Sequence, residues 1–212
     1  MRAYKFTKQC HADLMLQKHI FRLGTLYDFR RIEHYGAHVG DAQEGAFSVN
    51  AESMTFDSDF DPQLLTSTQD FQVCWARGCL TDKPNTRVLS LTIHNLLLFC
   101  ASHTFDDRAF VDFDADTCIQ ITDFNAFSQA LANALTVPVE KTMVSPCDYV
   151  AKSSLTPQTP IPSLAFWKPP EYSRQAEIRL AISVLVDPVE PCFVYAPQAA
   201  QYCKIFRQRP IT

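Results

Sequence analysis

The segment Glu177-Ile178-Arg179-Leu180-Ala181-Ile182-Ser183-Val184 constrains the fold most. Ile178, Leu180, Ile182 and Val184 recur at every second position, the period of a strand whose successive side chains point to opposite faces. One face is apolar and must be buried. The other presents Glu177 and Arg179 together. A carboxylate and a guanidinium on one strand face are either an exposed surface with a cross-strand ion pair or the polar wall of a site, because burying such charges is expensive unless they are matched.

The same two-residue period recurs along the chain. Residues 3–8 and 21–26 alternate, as do Phe47, Val49 and Ala51, and again Phe71, Val73 and Trp75. Residues 87–102 read as two strands broken near His94-Asn95, residues 118–122 as another, 139–151 as extended chain, and 192–195 and 203–206 as final strands. Two segments change period. Ala12, Met15, Leu16, His19 and Ile20 make one helical stripe; Phe124, Phe127, Ala130, Leu131, Ala134 and Leu135 make another, with Asp123 as N-cap and Pro138 marking its end. Residues 34–45 read as a loop, 57–70 as an acidic Ser/Asp-rich connection, and 156–170 as an irregular Pro-rich crossing segment. Strands cluster rather than alternating with helices. The expected class is α+β, with mixed or antiparallel sheets and two or three short helices, in one domain over residues 1–212.

Composition narrows the function. The chain has 5 Gly among 212 residues, which disfavours a Gly-rich phosphate loop, and a net charge of -4, which disfavours a dedicated duplex-DNA binder. Arg30-Arg31 and the tail Lys204, Arg207 and Arg209 are local basic patches that read first as solvated surface. The longest apolar stretch, Leu96 to Ala101, is far short of the ~20 residues of a membrane span, and the N-terminus lacks the apolar run of a signal peptide. No membrane partner and a cytoplasmic location are therefore expected. The eight Cys include no Cys-x-x-Cys pair, and they read as reduced, mostly apolar-environment thiols. His34-x3-His38 sits in a Gly-containing loop context, so no metal site is expected.

Three blocks carry the polar chemistry. Residues 21–33, followed by Gly40-Asp41-Ala42-Gln43-Glu44-Gly45, bring Arg22, Arg30 and Arg31 together with aromatic rings and acids beside a strand end. Arg22 there either pairs structurally with Glu33, Asp41 or Glu44, or holds a phosphate through its bidentate fork. Residues 166–180 feed an aromatic-rich turn into the Glu177 strand, where a carboxylate can bind a ribose hydroxyl. Residues 100–107 hold Ser102, His103 and Asp106, but without a Gly-x-Ser-x-Gly elbow they read as a polar strand end rather than a hydrolase triad.

The blocks Phe21–Glu33 with Gly40–Gly45, Leu98–Asp107 and Phe166–Leu180 resemble a broad set of uncharacterised bacterial and phage proteins. Their shared order is an R-x-G-T-L-x-x-F-R block, a C-x-S strand and a late F-x-K-x-x-E-Y-x-x-Q-x-E-x-R strand. That layout also resembles the ADP-ribosyltransferase fold, in particular its DarT-like and other toxin branches. The resemblance implies that NAD is the substrate and that Glu177 is the catalytic carboxylate. It places Tyr4 or Lys5 at the first-strand position. It implies that Arg22, Thr25 and Tyr27 contribute to the NAD pocket and that Ser102 or Tyr172 lines it. Arg22 would hold the diphosphate, Tyr27 or Tyr172 would stack on nicotinamide, and a protein, a nucleic acid or water would accept ADP-ribose. The implied setting is a toxin, phage-defence or counter-defence system. The sequence departs from that family in lacking a clear Ser-Thr-Ser and in lacking a first-strand His or Arg. The rival reading is an inactive binding module of the same fold for a nucleotide, nucleic acid or partner protein. In it Arg22 and Arg179 pair structurally, and Trp167 and Tyr172 form a contact patch.

Overall fold

A computed structural model describes residues 1–30, 46–50, 88–92, 95–150, 165–186 and 189–209, with 46–50 and 88–92 as paired backbone. The expectations for residues 34–45, 57–70 and 71–75, the partners Glu33, Asp41 and Glu44, and the His34/His38 pair all lie outside the described residues.

The strand periods translate directly into elements. Ala3–Thr7 (β1), Ile20–Thr25 (β2), Ala46–Asn50 (β3), Val88–Thr92 (β4), Leu97–Ser102 (β5), Thr117–Ile121 (β6) and Val139–Pro146 (β7) come first. Asp148–Tyr149 (β8), Trp167–Lys168 (β9), Glu177–Val184 (β10), Cys192–Tyr195 (β11) and Cys203–Gln208 (β12) follow. Besides the two longer helices, Gln9–Gln17 (α1) and Phe124–Asn133 (α2), the described residues form only short helical segments of three to six residues. The protein is thus α+β, and its described strand pairs are antiparallel except for the short parallel pair β8–β9.

The first helix is shorter than its stripe suggests. It ends at Gln17, His19 takes the left-handed conformation at φ 55°, and Ile20 already belongs to β2. A left-handed residue just past a helix end reverses the chain within a few positions, which delivers β2 to the sheet. The second helix starts where expected. The Asp123 carboxylate accepts the N–H groups of Asn125 and Ala126 at 3.1 and 3.4 Å, satisfying donors that a helix start leaves orphaned.

Strand β5 organises the sheet. Along one edge it pairs with β10 from Glu177 opposite Ser102 to Ile182 opposite Leu97, and β10 pairs in turn with β7. Its other edge is shared. Thr25 and Gly24 of β2 take Leu97 and Leu98, whereas Tyr4 of β1 takes Ser102. From there β1 continues to β6 and β12, and β2 continues to β11. The sheet therefore forks, and Phe99, Cys100 and Ala101 lie between the two branches.

One face of this sheet makes the core. Ile178, Leu180, Ile182, Leu97 and Phe99 are buried there against Phe124, Phe127 and Leu131 of α2. The Phe127 ring centroid lies 5.0 Å from that of Phe99 and 5.4 Å from that of Phe21, distances typical of favourable tilted and edge-to-face pairs.

A candidate active-site cleft

The fork opens into a cleft of about 710 Å³ on the face of β10 opposite the core. That size suits a small molecule or a nucleotide. Its floor comes from β5 and β10, and its walls from β1, α1, β2, β9 and β11.

Period 2 places Glu177 and Arg179 on the floor together, opposite Ser102 and Cys100 of β5. The chain reaches Glu177 through Ala176, a non-glycine residue with φ 42°, whose carbonyl accepts the His103 N–H at 2.7 Å. A residue held in this sparsely populated conformation stores strain, here immediately before the carboxylate.

The Glu177–Arg179 face is not an exposed one. Glu177 is 6% exposed and Arg179 1%. Their ion pair is made within one strand rather than across strands: Arg179 Nε donates to Glu177 Oε1 at 2.7 Å and Nη2 to Oε2 at 3.4 Å. Arg179 Nη1 donates to the Ala165 carbonyl at 2.6 Å. Lys168, also buried, brings its ammonium within 2.7 Å of Glu177 Oε2 and donates to Gln175 Oε1. One carboxylate thus sits between two buried cations. The Cys100 thiol hydrogen-bonds to it as well, and the Glu177 N–H donates to the Tyr149 hydroxyl at 2.7 Å. Burial by itself raises the Glu177 carboxyl, but Arg179 and Lys168 outweigh it and hold the group well below the usual carboxylate range. Burial pushes the Cys100 thiol well above its ordinary value, and the nearby Glu177 charge adds to this.

The structure brings together five of the eight residues singled out from sequence. Tyr4, Lys5, Arg22, Ser102 and Glu177 line the cleft. Tyr4 does so with its ring packed against Phe105 and Phe206. Arg22 stands at the rim, and its Nη2 pairs with Asp28 Oδ2 at 2.7 Å, a partner outside the three acids considered from sequence. Thr25, Tyr27 and Tyr172 do not line the cleft. Thr25 is buried behind the wall, where its Oγ1 accepts the Asp28 N–H at 3.0 Å and so positions the partner of Arg22. Tyr27 lies under the Arg30 guanidinium at 4.1 Å, and Tyr172 lies 5.1 Å from the Lys168 ammonium.

Several site residues were not singled out from the pattern alone. Lys168, Gln175 and Cys100 reach the floor, and Phe29 and Phe193 line the wall of β2 and β11. Phe193 stands directly opposite Arg22 and is 67% exposed. Lys168 and Gln175 belong to the same 166–180 block as Glu177, which was their one local signal. The 207–209 tail is partly neutralised: Arg207 pairs with Asp107 at 2.8 Å, and Arg209 donates to the Asp107 carbonyl. Among the described residues no helix is long and apolar enough to cross a membrane, and no group of three His, Cys, Asp or Glu side chains gathers as a metal site.

Comparison of this chain with protein-family models, with curated proteins and with solved structures finds no match in any of the three.

Proposed function

We propose that the chain is an ADP-ribosyltransferase-like protein that cleaves NAD in the forked-sheet cleft and transfers ADP-ribose to a protein or nucleic-acid acceptor, in a toxin, phage-defence or counter-defence setting. The observation that carries this reading is the buried, ionised Glu177 at the start of β10 on the cleft floor. In the reaction the bond between the ribose C1′ and nicotinamide breaks, and its electron pair leaves with nicotinamide. The ribosyl group passes through an oxocarbenium-like cation, a lone pair of the acceptor forms the new bond to C1′, and the acceptor's proton passes to solvent. Glu177 stabilises that cation electrostatically and accepts a hydrogen bond from the ribose 2′-hydroxyl. Arg22 at the rim meets the diphosphate. Each carboxylate oxygen can accept more than one hydrogen bond, so the 2′-hydroxyl can join the donors that Glu177 already has in Arg179 and Lys168.

A second reading has its own support. Both Glu177 oxygens already accept from cations, which is what a structural ion cluster in a non-catalytic binding module requires. The discriminating experiment measures nicotinamide release and thermal shift with NAD, using protein and single-stranded nucleic acid as acceptors, for wild type and Glu177→Gln. Activity is referred to the folded fraction of each. Release by wild type that is lost in the folded variant supports the transferase. Stabilisation by NAD without release moves the chain to the binding module. Neither release nor stabilisation overturns the NAD reading.

A further inference from the structure

Most cations along the cleft are matched in place. Lys8 pairs with Asp114 at 2.8 Å and Arg22 with Asp28 at 2.7 Å, while Arg179 and Lys168 share Glu177. Lys5 of β1 differs. Among the described lysines and arginines that line the cleft, it alone has no carboxylate as an ion-pair partner. Its Nζ donates to the Cys100 carbonyl at 2.8 Å, in the gap where β5 lies between the two branches, and stands 5.2 Å from the Phe99 ring centroid. A carbonyl oxygen and a ring face both favour the ammonium over the neutral amine, so the charge stays. Neither carries a net negative charge that would neutralise it. Burial is the largest influence on the Lys5 pKa and lowers it, against the pull of Cys100 and Glu177. That is the mark of a charge taken from water without a full counter-ion, because two other cations already divide the Glu177 charge. An ammonium has three donors, and the Cys100 carbonyl takes one. Much of the remaining lining is apolar: Leu14 and Met15 of α1, Ile20 of β2, Phe29, Leu98 of β5 and Phe193 of β11.

We propose that the cleft binds a small organic acid, with its carboxylate on the Lys5 ammonium and its apolar body along these walls. One unmatched cation calls for one negative charge. A carboxylate supplies that, whereas a phosphate monoester brings nearly two. Lysine is a compact point charge without the planar fork that grips a phosphate at two points. The carboxylate completes the ion pair that Lys5 lacks, and a few placed polar contacts within apolar walls are the usual make-up of a small-molecule site. This ligand is independent of NAD cleavage.

Titration calorimetry on the intact chain at pH 7 tests this with 3-phenylpropanoate, its neutral amide, acetate and inorganic phosphate. The aryl acid is expected to bind saturably and about tenfold tighter than the amide, the gain from one charge-assisted contact. Acetate, which lacks the apolar body, is expected to bind about tenfold more weakly than the aryl acid. Lys5→Met keeps an unbranched side chain of similar length without its charge, and is expected to bring the aryl acid down to the affinity of the amide. Equal binding of acid and amide by the wild-type chain overturns the proposal, and that comparison needs no variant. A preference for the acid that survives in folded Lys5→Met also overturns it, since the anion then rests on another cation. Phosphate binding as tightly as the aryl acid overturns it as well. A chain that prefers the acid through Lys5 but releases no nicotinamide keeps this inference and loses the transferase reading. One that releases nicotinamide and shows no acid preference does the reverse.

Discussion

Replacing Glu177 by Gln removes one negative charge from between two buried cations. Arg179 and Lys168 are 1% and 4% exposed, and each makes a 2.7 Å contact to the carboxylate. The Gln side chain keeps the shape and one acceptor oxygen, but its amide nitrogen meets a second donor. Removing one partner of a buried ion pair costs about 3–5 kcal/mol, because the charge left behind stays desolvated and unmatched. For a chain of this size about 2–4 °C of melting temperature accompanies each kcal/mol, so a fall of roughly 6–20 °C is expected. The effect depends on pH with a definite sign. The Glu177 carboxyl ionises far more readily in the fold than in the unfolded chain, where its pKa is about 4.3. Its stabilisation is therefore complete above that value and is lost as pH falls below about 4. Urea unfolding of both proteins at pH 7, 5, 4 and 3 measures the gap directly. A gap below ~0.5 kcal/mol at pH 7, the range of an ordinary surface substitution, refutes the buried-cluster argument. So does a gap that stays constant on acidification. Because either functional reading carries this stability loss, loss of folding in Glu177→Gln does not separate enzyme from binding module; activity per folded molecule does.

Other positions give independent checks. Phe127→Ala empties the ring junction with Phe21 and Phe99 and is expected to destabilise by about 3–5 kcal/mol in chemical denaturation; a loss under ~1 kcal/mol would mean that α2 is not seated on this core. Ala176→Gly relieves the left-handed strain before Glu177 and is expected to raise stability by about 0.5–1 kcal/mol after the entropy of glycine is counted, whereas a lower melting temperature contradicts that backbone assignment. At Gly24 an added Cβ would meet the outer edge of the half-buried Phe29 ring at 3.0 Å, so Gly24→Ala is expected to shift that cleft-lining ring and change ligand affinity more than stability; unchanged ligand affinity would count against it. Among the six described thiols, Cys10 is exposed, whereas Cys118 is buried with its thiol pushed up to about 12. Alkylation at pH 8 is expected to reach Cys10 first and Cys118 only on unfolding, and equal rates would refute the burial of β6.

The local periods of this chain determined its elements. Alternation at 177–184 specified a strand with one apolar face, the Phe124–Leu131 stripe with Asp123 specified a capped helix, and clustered strands specified α+β. These signals are legible because each depends on neighbours within a few residues. They also put Glu177 and Arg179 on one face, since period 2 leaves no alternative. Only the tertiary structure decided that this face is buried, that β5 divides its edge between β1 and β2, and that Lys168, Cys100 and Lys5 converge beside Glu177. Lys5 and the Cys100 carbonyl are 95 positions apart, and no local pattern records which strand edge meets which. The same gap explains Thr25, Tyr27 and Tyr172, whose motif positions suggested the pocket but which are not among the residues that line it. Strand order and register are settled collectively, by the burial of Phe21, Phe99, Ile178 and Leu180 against α2. The cleft exists because two strands compete for one edge of β5 and neither spans it.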